Sequence, residues 1–230
     1  MVRYEKAWQV ARQRIADAAR AGGRAPESVR LLAVSKTFPA AAIRRLHALG
    51  QRAFGENYVQ EARSKRNELA DLDIEWHLIG PLQSNKARVA AATFDWVESI
   101  DRAEIAERLS AARTGVAPLD VLIQVNASGE ATKSGVSPTG AVALARQVST
   151  LPNVRLRGIM GIPEATDDAS VLRAQFRQLR QCFDACIDAG LSIDTLSMGM
   201  SADLELAIAE GATEVRVGTA IFGARDSAKG

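Results

Sequence analysis

The stretch VRLLAVSKTFP, residues 29–39, decides how the chain is read. Five of the six residues before Ser35 are apolar or small, the mark of a buried β-strand. Pro39 then opens a helix through Leu49, closed by Gly50, with proline inside the start and glycine past the end. A strand thus feeds a helix, and Lys36 stands where the strand emerges.

The same alternation runs outward in both directions. A charged, helically spaced segment over residues 2–21 precedes the strand. After it, strands are expected at QRAFGEN (51–57), IEWHLIG (74–80), DWVESI (95–100), LDVLIQVN (119–126), VRLRGIM (154–160), IDTLSM (193–198) and EVRVG (214–218). Helices are expected between them, the longest over residues 169–189. Asp101 with Glu104 three positions on has the form of a capping box for the helix at 102–114. Ser201 is read as the start of a short helix, and a last turn covers TAIFG (219–223).

Eight strands with intervening helices signal parallel β/α construction. The expected fold is a single-domain (β/α)8 barrel of TIM type over residues 1–230, with an extra N-terminal helix. An open doubly wound sheet is the alternative, weakened because no GxGxxG follows the first strand.

Composition narrows the function. Lys and Arg total 29 against 27 Asp and Glu, which gives no electrostatic case for nucleic acid. No run approaches the roughly 18 apolar residues of a membrane span, and the N-terminal segment lacks a signal peptide's apolar core. The two cysteines, Cys182 and Cys186, lie four apart on a helix without further Cys or His, and read as buried thiols. These features describe a cytoplasmic protein.

A barrel of this kind places its site at the C-terminal ends of the strands. Those ends carry Lys36, Asn57, the 80–83 loop, Asn126, Met160, residues 198–201, and Arg216 with Gly218 and Thr219. Gly and Ser after strand seven, then Gly218 and Thr219 after strand eight, suit a phosphate in adjacent loops. Alternatively, Ser201 and Thr219 cap helices. A lysine desolvated at the mouth can attack a carbonyl and form a Schiff base. Otherwise, Lys36 lies along the surface. A phosphorylated aldehyde such as pyridoxal 5′-phosphate (PLP) would use both ends of the site. Alternation puts Arg216 on the same face as Gly218, where a pyridine nitrogen or a carboxylate such as Glu56 would satisfy it. His77 is a lone strand histidine suited to packing or hydrogen bonding. The loop NASGEATKSG (126–135), with Lys133, is either a solvated loop or a lid.

LLAVSKTFP, FGENYVQE, WHLIGPLQSNK, NASGEATKSG and SMGMSADLELAIAEGATEVRVGTAIFGARD together resemble the pyridoxal-phosphate homeostasis proteins, over nearly the whole chain. That family resembles the barrel domain of alanine racemase and of eukaryotic ornithine decarboxylase. The resemblance implies PLP held on Lys36 as a Schiff base, its phosphate on Ser201, Gly218 and Thr219, and Arg216 facing the pyridine nitrogen. It implies Asn57 near the cofactor, and His77 and Met200 within family motifs. Leu78 and Gly161 depart from the usual pattern, in ways expected to alter packing. The function implied is a monomeric PLP carrier or regulator that serves apoenzymes. A weak amino-acid racemase is the alternative, and a Schiff-base aldolase acting on a sugar phosphate is a third reading. A racemase needs a second base, for which the chain offers only Tyr4 and Tyr58.

Overall fold

The computed structural model describes residues 2–130 and 133–223, residues 2 and 3 by their backbone alone. Residues 131 and 132 of the polar loop and the end of the last motif, 224–226, lie outside this range. The chain begins with α1 (Val2–Ala21) and then alternates as β1 (Arg30–Val34), α2 (Ala40–Ala48), β2 (Ala53–Glu56), α3 (Val59–Glu68), β3 (Glu75–Leu78), α4 (Ala87–Thr93) and β4 (Trp96–Ile100). It continues with α5 (Ala103–Ala112), β5 (Leu119–Val125), α6 (Ala141–Ser149), β6 (Val154–Gly161), α7 (Ala169–Asp188), β7 (Thr195–Ser197), α8 (Leu204–Ala209), β8 (Glu214–Val217) and α9 (Thr219–Phe222). Each strand pairs with the next in parallel, and β8 pairs with β1, Leu32 opposite Arg216. The sheet therefore closes into a barrel, which removes the open-sheet alternative.

Closure explains the two kinds of strand residue. Outward positions such as Phe54, Val97, Val121, Ile159 and Val217 join helix residues such as Ile43, Leu109, Val148 and Phe176 in one core around the barrel. All seven residues of β5 are buried, as expected for a strand covered on both faces. Inward positions differ. Among the described residues, Trp96, Leu122 and Met160 form a small apolar cluster there, with Ile162 against it. Much of the remaining interior is polar: His77, Glu98, Ser197, Glu214 and Arg216 are all buried.

The extra helix α1 turns one face inward, with Trp8, Ala11, Ile15 and Ala19 buried at spacings of three and four. It packs against α2, α8 and α9. Trp8 Nε1 donates to Gln51 Oε1 at 3.0 Å, and Arg14 pairs with Glu205 at 2.7 Å. Among the described residues no helix is long and apolar enough to cross a membrane.

Three local expectations change. β1 ends at Val34, so Lys36 lies in the turn that follows it. No capping box forms at α5: Asp101 Oδ1 accepts the Arg102 guanidinium at 2.7 Å, and a charge-assisted partner displaces the backbone N–H. Ser201 does not begin α8. That helix starts at Leu204, because Asp203 Oδ1 takes the Met200 N–H at 2.5 Å and holds residues 200–203 as a turn. Cys182 and Cys186 are buried on α7 as read from the sequence. Burial pushes both thiols up, Cys186 to about 11 with its neighbour adding to the effect.

Candidate functional site

Lys36 is half-buried in the turn between β1 and α2. The next residue, Thr37, has φ 67°, a left-handed conformation that costs a non-glycine residue of order 1 kcal/mol. What holds it is Glu61 on α3, whose Oε1 accepts the Thr37 N–H at 2.6 Å. A second lysine lies underneath. Lys65 Nζ donates to Ser35 O at 2.9 Å, to Glu56 Oε1 at 2.7 Å and to Glu61 Oε1 at 2.7 Å, and Ser35 Oγ donates to Glu56 Oε1 at 2.6 Å. Burial raises the Glu56 carboxyl above its ordinary range, although Lys65 and Ser35 act against the rise. Lys65 clamps the turn that carries Lys36 from three sides. Its sequence signal was the Glu61–Lys65 spacing of four on α3, which reads equally well as an exposed helix pair.

Asn57 follows β2 directly and is half-buried. Its backbone meets Gly80 in the loop after β3, where a Cβ would lie 2.3 Å from Asn57 O. Only glycine permits that approach, and it locks the two loops together.

At the other edge of the mouth, Gly218 packs on the end of β1. A Cβ there would lie 3.3 Å from both the carbonyl oxygen and the Cβ of Val34. The β8 loop is thus seated two residues from Lys36. Ser201 and Thr219 belong to loops that meet, since Ser201 Oγ accepts the Ala220 N–H at 3.3 Å. Arg14 on α1 holds the Ser201 turn from outside through Nη2 to Ser201 O at 3.1 Å. The extra helix therefore braces the site, a role its amphipathic pattern did not reveal. Met200, 39% exposed, lies in the same loop. It also lines a cavity of about 690 Å³ with Lys133, Ile162, Pro163 and Leu206.

Arg216 is buried on the inner face of β8. Nη1 donates to Ser197 O and Ser197 Oγ, both at 2.8 Å, and Nη2 donates to Gly161 O at 2.8 Å. The pairing with Glu56 does not occur: two residues after the outward Phe54, Glu56 faces α3, where Lys65 and Ser35 both reach its Oε1. Three of the five guanidinium N–H groups are used, leaving two for another acceptor. Gly161 leaves room for Leu179, whose Cδ2 would lie 2.3 Å from a Cβ, so its departure from the family pattern is matched by α7 packing.

His77 does not open on the mouth. It is fully buried on β3, stacked on Trp96 at 5.1 Å, with Nδ1 2.7 Å from Glu98 Oε1 and Nε2 2.7 Å from Glu75 Oε1. Both ring nitrogens already face carboxylates. The loop after β5 is tied back on itself. Asn126 Nδ2 donates to Glu130 O at 2.8 Å, and Lys133 pairs with Glu130 at 2.7 Å.

Residues 12–226 match the model of the alanine racemase N-terminal domain. The chain belongs to that family. Among its relatives it is 59% identical over 214 residues to the pyridoxal phosphate homeostasis protein of Pseudomonas aeruginosa, covering 93% of this chain and 92% of that protein. It is 51% identical over 227 residues to the protein of the same name in Escherichia coli, covering 95% of each. The structure of PipY from Synechococcus elongatus with PLP bound superimposes with a TM-score of 0.79 at 44% identity, covering 91% of this chain and all of that one. Alanine racemase of Clostridium difficile shares the fold alone, with a TM-score of 0.75 at 14% identity, covering 92% of this chain and 58% of that one.

Proposed function

We propose that the chain binds PLP at the barrel mouth and serves PLP homeostasis as a carrier or regulator. The observation that carries this reading is the convergence of three donor sets. Lys36 stands on a turn fixed by Glu61 and Lys65. Gly218 packs against Val34, and its loop meets Ser201 through Ala220. Arg216 is buried on the same barrel face with donors to spare. An amine, a hydroxyl-lined loop pair and a guanidinium are the groups that an aldehyde, a phosphate and a ring nitrogen require.

PLP, when bound, supplies a reactive carbonyl and an electron-withdrawing ring. The residues divide the work of holding it. Lys36 would provide the attachment atom, on a turn fixed by Glu61 and Lys65. Ser201 and Thr219 offer hydroxyl donors to the phosphate, Gly218 lets the backbone come close, and Asn57 and Met200 border the mouth. Arg216 is permanently charged and would disfavour a proton on a ring nitrogen held against it, which would restrain carbanion chemistry. That restraint suits storage and transfer. Of the candidate second bases for a racemase, Tyr4 packs edge-on against Phe222 and Tyr58 lies 60% exposed at the start of α3. The same reading takes the protein as a cytoplasmic monomer that hands PLP to apoenzymes.

The test is a visible spectrum of the purified protein before and after borohydride, with peptide mass mapping. The expected result is a band bleached by reduction and a phosphopyridoxyl group on Lys36. No band and no adduct after added PLP would overturn the assignment. Solvent exchange of amino-acid α-protons at an enzymatic rate would overturn the carrier role and favour racemase chemistry.

A further inference from the structure

Beneath Arg216 runs an unbroken chain of short contacts through the barrel interior. Glu75 Oε1 lies 2.7 Å from His77 Nε2, and His77 Nδ1 lies 2.7 Å from Glu98 Oε1. Ser197 Oγ donates to Glu98 Oε2 at 2.7 Å and accepts from Arg216 Nη1 at 2.8 Å. The five residues come from four strands: Glu75 and His77 from β3, Glu98 from β4, Ser197 from β7 and Arg216 from β8.

Glu214 stands beside this chain, two residues before Arg216 on the same face of β8. It is 1% exposed, and neither carboxylate oxygen has a hydrogen-bond partner. Its oxygen lies within 4.8 Å of ligand atoms of both His77 and Glu98. The charged groups around it are Arg30 on β1, its Nε 3.8 Å away, Glu75 and His77 on β3, Glu98 on β4 and Arg216 on its own strand. Three carboxylates (Glu75, Glu98, Glu214) meet two guanidiniums (Arg30, Arg216), and Asp203, just before α8, is a further acid acting on Arg216, so the cluster needs at least one further proton for balance. The spacing of His77, Glu98 and Glu214 would also admit a cation, an outcome the test below separates.

We propose that His77, Glu98 and Ser197 are positioning residues for Arg216, and that a single buried proton held on Glu214, beside Glu98, sets how firmly Arg216 is held. The two acids are driven apart as that placement requires. Burial, reinforced by the Glu98 charge, pushes Glu214 up to about 7. Burial acts on Glu98 too, but the His77 contact and the charges of His77 and Arg216 hold it below its ordinary range. As pH rises through about 7, Glu214 gains a charge that competes for Arg216. The consequence for PLP rests on the reading of Arg216 given above; the consequence for Arg216 itself does not.

The first experiment uses ligand-free protein. The Arg216 side-chain N–H signal is followed by 15N NMR from pH 5.5 to 8.5, with Arg216→Lys for assignment. It is expected to titrate with a midpoint near 7, to lose that midpoint in Glu214→Gln and to shift it in Glu98→Gln. A signal that does not move, or that titrates identically in Glu214→Gln, would overturn the proposal whatever PLP does. One equivalent of tightly bound divalent metal in the purified protein would overturn it in favour of a cation site. The second experiment measures PLP dissociation over the same range. Affinity is expected to fall about three- to tenfold more in the parent than in Glu214→Gln as pH rises. Equal pH dependence with a titrating Arg216 would overturn the link to PLP and the placement of Arg216, while the buried proton stands.

Discussion

The mouth of the barrel and the interior beneath it are built on opposite plans. The mouth is made of loops, and its residues come in runs: Ser35-Lys36-Thr37, residues 198–201, Gly218-Thr219. The interior is made of strands, and its residues come one or two at a time: Arg30, His77, Glu98, Ser197, Glu214. The mouth holds donors on loop edges, whereas the interior, buried except at Arg30 and Glu75 at the strand starts, must satisfy most of its charges internally. A substitution at the mouth should therefore change binding and spare the fold, and one in the interior should do the reverse first.

The largest effect is expected where a buried ion pair loses one partner. Lys65→Met leaves Glu56 fully buried with only Ser35, and should cost about 3–5 kcal/mol in urea unfolding. Glu98→Leu should cost a similar amount, about 3–5 kcal/mol, because it strands His77 Nδ1 and the Ser197 hydroxyl at once. If Glu98→Leu unfolds like the parent, the interior is not the stability-determining half, and the contrast fails; Lys65→Met tests the clamp between β2 and α3 that carries the Lys36 turn.

Next comes the pH dependence of stability. The Glu214 carboxyl is raised in the folded chain, from an ordinary value of 4.5 to about 7. A raised group stabilises fully below its unfolded value and loses that contribution as pH climbs to the folded one. Between pH 4.5 and 7, the parent should lose on the order of 3 kcal/mol that Glu214→Gln retains. Parallel curves for the two proteins would show that Glu214 is ionised or partnered throughout.

The mouth should behave differently. Ser201→Ala with Thr219→Ala is expected to weaken PLP binding roughly tenfold to a hundredfold, at about 1 kcal/mol or more for each lost charge-assisted hydrogen bond. Its unfolding midpoint should stay within about 1 kcal/mol of the parent, apart from the loss of the Ala220 contact. Equal losses of affinity and stability would erase the distinction between the halves.

The same division decides what could be read from the sequence. The strand and helix order followed from apolar periodicity and turn residues, and the closed β1–β8 pairing agrees with the barrel reading. Lys36, Ser201, Gly218 and Thr219 could be picked out because each interrupts a strand-to-helix junction. The partners of Glu56 could not. Lys65 lies nine residues away on a helix whose surface pattern hides that its amine points inward. The pairing of Glu98 with Ser197 spans 99 positions and exists only because the barrel closes. His77 was visible as a residue, but its two carboxylate partners were not, and they place it in the interior network. Helix starts failed where a side chain found a better partner than a backbone N–H, as Asp101 did in Arg102.

The smallest effect tests whether the two halves are the whole of the site. Arg14 belongs to neither, yet its Nη2 reaches Ser201 O at 3.1 Å while its Nε pairs with Glu205 at 2.7 Å. Both contacts are partly solvated, so Arg14→Ala should cost no more than about 1 kcal/mol of stability. Its effect on binding depends on what the contact does. If α1 merely covers the barrel, PLP affinity should match the parent. If it braces the Ser201 turn, affinity should fall about two- to fivefold with no change in the reduced adduct at Lys36, and Arg14→Lys, which retains the charge but not the fork, should recover only part of it. The second outcome is expected, because the turn at 200–203 is otherwise held by its own Met200–Asp203 bonds and the single Ala220 contact to Ser201 Oγ, and a phosphate site built on hydroxyls depends on where their loop rests.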